Sequence, residues 1–338
     1  MPTVAIAGAG LMGRLIGWQL VKRGADVTLY ERTPRHAPAS AAHVAAAMLA
    51  PTSELPDSDD AVFAMGQQSL SAWPAMLDEL GVPYGIDGSL LVAHGPDGPL
   101  LDKFYRSLGA HRETEAKWLN AAGVAELEPA LAGRFERGLY LPHEGWLDNR
   151  ALLAALEGRC GTIRFGKCVD PVRLAAHPSG DALVVDCRGV GADFAELRGV
   201  RGEAIRLHAP EVDLTRPVRL MHPRYQLYVA PRPGRHYVVG ATQLESESTQ
   251  ATTVRSALEL LSAAFALHPG FAEAEITELC AGLRPAYPDN LPRVEWRRGV
   301  LRVNGLYRHG FLIAPAVAQQ AIEEIERCMY SSTATASA

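Results

Sequence analysis

VAIAGAGLMG, residues 4–13, is an apolar run that breaks into three glycines at the spacing Gly8-x-Gly10-x-x-Gly13. The apolar run reads as a buried strand, and the helical pattern that follows through Leu20 and stops near Gly24 reads as a helix packed on it. A second apolar run, Val27 to Tyr30, ends on Glu31. Strand, tight turn, helix and a second strand tipped by an acid form the context in which GxGxxG is a dinucleotide fingerprint. Gly8 permits the sharp turn, Gly10 leaves the backbone open to a pyrophosphate, and Gly13 lets the helix lie close on the strand. The helix start at Leu11 and Met12 offers free N–H groups and a positive dipole end to phosphates. Glu31, with Arg32 beside it, suits the two hydroxyls of an unphosphorylated ribose, which favours FAD or NAD over NADP. A glycine-rich turn without a ligand is the plain alternative, and the agreement of strand, helix and acid weighs against it.

The whole chain narrows the classes. It has 338 residues and a formal charge of −5 with no basic block. That length suits one large domain or two interleaved ones, and the charge balance argues against a nucleic-acid partner. Cys160, Cys168, Cys187, Cys280 and Cys328 show neither CxxC nor CxH spacing, so no metal ligands are assigned. They read as reduced, mostly buried thiols of a cytoplasmic protein. The first strand begins within three residues of the start and no apolar run is long enough to span a bilayer, so neither export nor membrane insertion is expected.

Residues 40–51, SAAHVAAAMLAP, admit two readings: a short packing helix ended by Pro51, or a small-residue segment whose backbone approaches a flat ring. ELPDSDD at 54–60 reads as an exposed acidic loop that caps a helix from about Ala61 to Leu80, stopped by Gly81. Its apolar stripe is Val62, Met65, Leu70, Trp73, Met76, Leu77 and Leu80. A strand at 89–94, a GPDGP turn, an amphipathic helix to Gly109 and a short helix broken by Pro129 follow. Asp148 is the natural N-cap of the helix that stops at Gly158. Strands are expected at 162–167 and 182–187. The second runs into Arg188-Gly189-Val190-Gly191, which is either a second approach to an extended cofactor or only a turn.

From Gly199 the segments GEAIRLHAP, RPVRLMHP, YQLYVAPRP and HYVVGATQ read as an antiparallel sheet. A helix from Val254 to Leu267 carries Leu258, Leu261, Ala264 and Phe265 on one face. Strands near 275–283 and 300–304 bracket RPAYPDNLPRV, and a final helix runs from Gly310 to about Cys328. The glycine-rich strand ends at both the start and the middle of the chain imply a nucleotide-binding α/β domain built from three separate stretches, interrupted twice by an antiparallel substrate sheet.

Candidate catalytic groups are sparse. There is no HExxH, GxSxG or P-loop, and the eleven histidines are spread singly. Tyr228, Arg284 and Arg308 stand beside glycines or prolines in the last third. An arginine in a turn is usually solvated. Three such groups in a chain that binds a cofactor instead fit a clamp, in which a guanidinium pairs bidentately with a carboxylate and orients an amino acid or hydroxy acid.

Together GAGLMG with Glu31, AAAMLAP, YVAPRP followed by VVGATQLES, AGLRPAYPDNLPRV and VNGLYRHGFLIAPA resemble the FAD-dependent glycine oxidases of the D-amino acid oxidase and sarcosine oxidase superfamily. The resemblance implies a discontinuous, Rossmann-like FAD-binding domain over 1–83, 138–200 and 284–330 and a substrate domain over 84–137 and 201–283; the composition of SSTATASA, 331–338, reads as a disordered tail. It matches Tyr228 to a tyrosine that contacts substrate, Arg308 to the arginine that pairs with its carboxylate, and Arg284 to an arginine lining the same site. Ala46, Ala47 and Met48 match backbone facing the isoalloxazine ring, and Val169 a contact to adenine. Gly189 and Gly191 are placed with the cofactor. His309, Gly310, Phe311, Leu312 and Ile313 match a helix start at the flavin pyrimidine, where a positive dipole end stabilises anionic reduced flavin.

Two positions depart from the family pattern. Gln243 stands where GATM is common, so it is a candidate hydrogen-bonding group at the substrate, and Ala47 replaces a glycine. Cys280 raises covalent flavin attachment, but its spacing from the PDN segment differs from that of sarcosine oxidases and the FAD is expected to be non-covalent. The implied reaction is oxidative deamination of glycine or a small amine: hydride transfer from Cα to flavin, imine hydrolysis, and reoxidation by oxygen to give peroxide, in the service of thiamine thiazole synthesis. Alternatives are oxidation of D-amino acids, N-methyl or β-amino acids, and, in another class, a non-catalytic or RNA-modifying flavoprotein. Whether identical copies assemble is left open.

Overall fold

The computed structural model describes residues 3–35, 40–176, 182–224 and 226–336. The opening strand Thr3–Ala7 pairs in parallel with Asp26–Glu31 on one side and Ala182–Asp186 on the other. Thr162–Phe165 and Val300–Asn304 extend this sheet in parallel, and Arg293–Arg297 adds an antiparallel edge, giving six strands. The helix Leu11–Lys22 lies on it and buries Leu11, Leu15, Ile16, Trp18 and Leu20. Gly13 explains the close fit, since a Cβ there would sit 2.0 Å from the Gly8 carbonyl oxygen. Trp73 and Leu77 of the helix Asp60–Leu80 share this core with Leu312, Val317 and Ile322 of the final helix. The Trp73 indole donates to the Phe311 carbonyl at 2.9 Å, which ties that helix start in place.

The second layer is an eight-stranded sheet in the order Glu275–Ala286, Arg198–His208, His236–Gly240, Gln226–Arg232, Val218–Met221, Ser89–Val92, Arg137–Leu141, Lys117–Asn120. Its pairs are antiparallel apart from Val218–Met221 with Ser89–Val92. This sheet takes residues from both sides of the expected domain limits near 138, 200 and 284. The caps read from sequence are in place: Asp148 accepts from Arg150 and Ala151 N–H, and Gly81 ends its helix at φ +67°.

Several expectations are corrected. Pro51 starts a helix, Pro51–Glu54, and ends none, because proline at the first helical position lacks only an N–H that would be unpaired anyway. The Ala-rich stretch is helical only over Ala41–Val44 and then extends into the strand Met48–Leu49. The helix Val254–Leu267 buries Leu260, Ala263, Ala264 and Leu267 against the sheet, whereas Leu258 and Phe265 are more than half exposed. The final helix continues to Ala336, past the expected end near Cys328, so residues 331–336 are helical where a disordered tail is expected. Residues 337–338 lie outside the described residues. Among the described residues no helix is long and apolar enough to cross a membrane.

Candidate active site

The glycine turn, the small-residue segment and the inner face of the large sheet line one long cleft. At one end lie Gly8, Gly10, Leu11, Met12, Glu31 and Arg32. Ala46, Ala47 and Met48 line its middle, with Gly189 and Gly310 beside Phe311. Tyr228, Gln243, Arg284 and Arg308 line the other end. Gly13, Val169, Gly191, His309, Leu312 and Ile313 do not border it.

At the glycine end, Gly8 adopts φ +95° and a Cβ there would lie 2.6 Å from the Cys187 carbonyl oxygen. Gly10 differs, because the nearest atom to a Cβ built on it is Ser40 Cβ at 3.8 Å. Packing of the protein therefore does not demand glycine at position 10, and the space its missing side chain leaves belongs to the cleft. The Glu31 carboxylate accepts from Ala9 N–H at 2.9 Å and from the Thr33 N–H and hydroxyl at 3.0 Å.

At the far end the strand register assembles the polar groups. Arg219 pairs with Tyr228, Tyr228 with Gly240, and Gly240 with Ala204, so one row crosses the sheet. The Arg284 guanidinium lies on Gly202, where a Cβ would meet its terminal nitrogen at 2.3 Å. It donates to the Thr242 carbonyl at 3.1 and 3.2 Å and weakly to that of Arg201 at 3.4 Å. Carbonyls are its partners, and among the described residues no carboxylate forms an ion pair with it. Burial accordingly presses its pKa down. Burial also pushes the Tyr228 phenol up, so it stays a protonated donor despite the arginines around it.

Arg308 is placed differently from Arg284. Its Nε lies 2.5 Å from Glu54 Oε2, and its terminal nitrogens reach Asp57 at 3.2 Å and Gln243 Oε1 at 2.9 Å. Glu54 also accepts from Arg219 at 2.9 Å and faces His309 Nδ1 at 3.5 Å. Burial alone would raise the Glu54 carboxyl, but the two guanidinium groups outweigh it and hold the pKa at about 2. Burial lowers His309 to about 4, leaving it neutral. The expectation that 54–60 is an exposed acidic loop is therefore corrected for Glu54, whose side chain is only 16% exposed. The cause is the turn of helix from Pro51, which swings Glu54 inward while Asp59 caps the next helix. Glu54 and Arg219 were not legible as site residues; the apolar neighbours of Arg219, Val218 and Leu220, were their one hint.

A family model described as DAO, FAD dependent oxidoreductase, matches residues 3–324. The chain belongs to this family. A putative thiamine biosynthesis oxidoreductase ThiO of Rhizobium etli is 43% identical over 93% of this chain and 94% of its own. A glycine oxidase of Geobacillus kaustophilus is 28% identical over 96% of this chain and 93% of its own. The crystal structure of the Geobacillus glycine oxidase superposes with a TM-score of 0.80 at 26% identity, covering 97% of this chain and 95% of that one. FAD is the cofactor of the family, and the cleft fits it: an open backbone at Gly10, an acid at Glu31 and a long passage to a polar far end. Cys280 does not line the cleft, and burial raises its thiol to about 11.

Proposed function

We propose that the chain is a glycine oxidase: glycine, oxygen and water are converted to glyoxylate, ammonia and hydrogen peroxide, and the imine formed first serves thiamine thiazole synthesis. The observation that carries the reading is Arg284, a half-buried guanidinium in the cleft with no acidic partner among the described residues, beside a protonated Tyr228. Such a group lacks one anion, and a substrate carboxylate supplies it bidentately. The pairing expected at Arg308 is assigned to Arg284, because Glu54 and Asp57 already neutralise Arg308.

In this reading the Gly8–Gly13 turn, Glu31 and Arg32 hold the adenosine diphosphate end of non-covalent FAD, with Gly189 at its edge. Bound flavin supplies the two-electron acceptor that is later reoxidised by oxygen. Residues 46–48 and the helix start at Gly310 border the ring, and the positive dipole end of that helix favours negative charge near it. Arg284 and Tyr228 fix the carboxylate and thereby aim Cα, which is positioning catalysis. His309 is neutral and Glu54 is locked between arginines, so neither stands ready to remove a proton, and the amine reacts in its neutral form. The names of the relatives support glycine and the thiazole route.

The test is a peroxide assay of the flavin-loaded protein over glycine, sarcosine, D-alanine, D-proline and small β-amino acids. Glycine is expected to lead. A clear lead for another amine would replace the substrate while keeping the clamp.

A further inference from the structure

The segment that borders the middle of the cleft is held from behind. Ala41, Ala42, Val44, Ala45, Ala46 and Ala47 line the cleft, while Asn149, Arg150, Arg206 and Arg232 do not. Those four polar side chains grip the segment by its carbonyls. Asn149 Nδ2 donates to Ala42 and His43 at 2.7 and 3.1 Å, and Arg150 Nε donates to His43 at 3.3 Å. Arg206 donates to the Asn149 side-chain oxygen at 3.1 Å. Arg232 donates to the Ala46 carbonyl at 2.5 Å and to that of Pro231 at 2.7 Å.

Arg232 is unusual among these. It is 7% exposed, its Nε has no hydrogen-bond partner, and the Trp146 ring lies 5.2 Å from its guanidinium carbon. Among the described residues no carboxylate forms an ion pair with it, and burial lowers its pKa to about 9, so it remains charged at neutral pH. A buried guanidinium without a counter-ion is costly unless something uses its charge.

The geometry of one peptide says what uses it. The Ala46–Ala47 bond is not among the cis bonds of the chain, and in a trans peptide the N–H points opposite to the C=O. With the Ala46 oxygen turned back to Arg232, the Ala47 N–H points the other way. It has no acceptor among the described residues, although Ala47 is 4% exposed. Ala47 also adopts φ +48°, a left-handed conformation that is strained for a non-glycine residue. A buried amide without an acceptor, in a strained peptide on a ligand cleft, marks a donor kept for the ligand.

We propose that Arg232 is a positioning residue for the flavin chemistry: gripping the Ala46 carbonyl from behind, it holds the Ala47 N–H in the cleft as a hydrogen-bond donor to the flavin ring and places an unpaired cation behind that donor. The assignment rests on the reading of the cleft as the flavin site. A donor backed by a positive charge stabilises negative charge that builds on the ring.

Sulfite, an anion that adds to oxidised flavin, reads this field without turnover. Flavin-loaded Arg232→Met is expected to bind sulfite about tenfold more weakly or worse. Its two-electron reduction equilibrium should fall about tenfold, roughly 30 mV in potential. KM for glycine should stay within about threefold while kcat drops, because the Arg284 and Tyr228 contacts are untouched. Arg232→Lys keeps a charge and one donor and is expected to recover part of the loss. A purely structural role would lower Tm or flavin retention and leave sulfite affinity and potential of the loaded protein at wild-type values, which overturns the proposal. If Arg232→Met does not fold, Arg232→Lys decides: sulfite binding about threefold weaker supports the assignment, and wild-type binding overturns it. Failure of the wild-type protein to hold flavin would instead sink the reading of the cleft.

Discussion

Glu54 and Arg308 form an ion pair inside the cleft, with Oε2 2.5 Å from Nε, and the same carboxylate accepts from Arg219 at 2.9 Å. Arg284, in the same cleft, has only carbonyl partners among the described residues. The two arginines therefore have different duties, and removing each should leave a different signature. Arg284→Ala is expected to weaken transition-state binding by about 2–5 kcal/mol, seen mainly as a raised KM for glycine, with Tm little changed. Arg308→Ala takes away one of the two guanidinium partners of Glu54, leaving Arg219, and should cost stability on the order of 1–3 kcal/mol. Steady-state kinetics and thermal melts on both variants check this, and the reverse pattern would restore Arg308 as the clamp.

Glu54 and Asp57 also occupy the cationic face that a second substrate anion would need. Glu54→Gln should shift preference toward amines carrying two carboxylates, raising their kcat/KM relative to glycine by about tenfold, or about 1.4 kcal/mol. Competition between glycine and iminodiacetate measures it, and an unchanged ratio counts against Glu54 as a filter.

The glycines of the first turn separate folding from binding. Gly10→Ala has room in the protein and should change apoprotein stability by no more than about 1 kcal/mol, while FAD affinity falls about tenfold or more. Gly13→Ala forces a Cβ to 2.0 Å from Gly8 oxygen and should destabilise the apoprotein itself by about 1–3 kcal/mol or more. Melts of the apoproteins beside flavin titrations check the contrast.

This division shows what was legible in the sequence. The glycine spacing and Glu31 report local geometry, and local geometry is what a short motif encodes, so the opening βαβ unit and the caps at Asp148 and Gly81 follow from it. The far end depends on pairings between distant strands. Arg219 meets Tyr228 only through the register of Val218–Met221 with Gln226–Arg232, and Glu54 meets Arg219 only because the helix from Pro51 turns it inward. An acid followed by Leu-Pro-Asp-Ser-Asp-Asp looks solvated until that turn is placed. The same reason hides Arg232, whose partner Ala46 lies 186 residues away. The outer face of the helix Val254–Leu267 misleads because apolar residues occur on both of its sides, and only the sheet decides which is buried.

Glu144 gives a pH signature. It is fully buried and accepts from Ser53 N–H at 2.5 Å, from the Ser53 hydroxyl at 2.8 Å and from the Ser89 hydroxyl. Burial raises its carboxyl from 4.5 to about 7, against the opposing pull of Arg219. The folded protein thus keeps a proton that the unfolded chain has released between those values. Stability contributed by this group is whole below about pH 4.5 and falls as pH rises toward about 7, by at most about 3 kcal/mol. Glu144→Gln should remove that slope, as denaturant titrations across the window will show.

The central claim is that glycine, held by Arg284, reduces flavin bound in this cleft. Anaerobic mixing of the flavin-loaded protein with glycine tests it most directly. The account predicts that the flavin absorbance bleaches and that admitting air restores it with one equivalent of peroxide. Bands unchanged by glycine, in protein that demonstrably holds FAD, would contradict it.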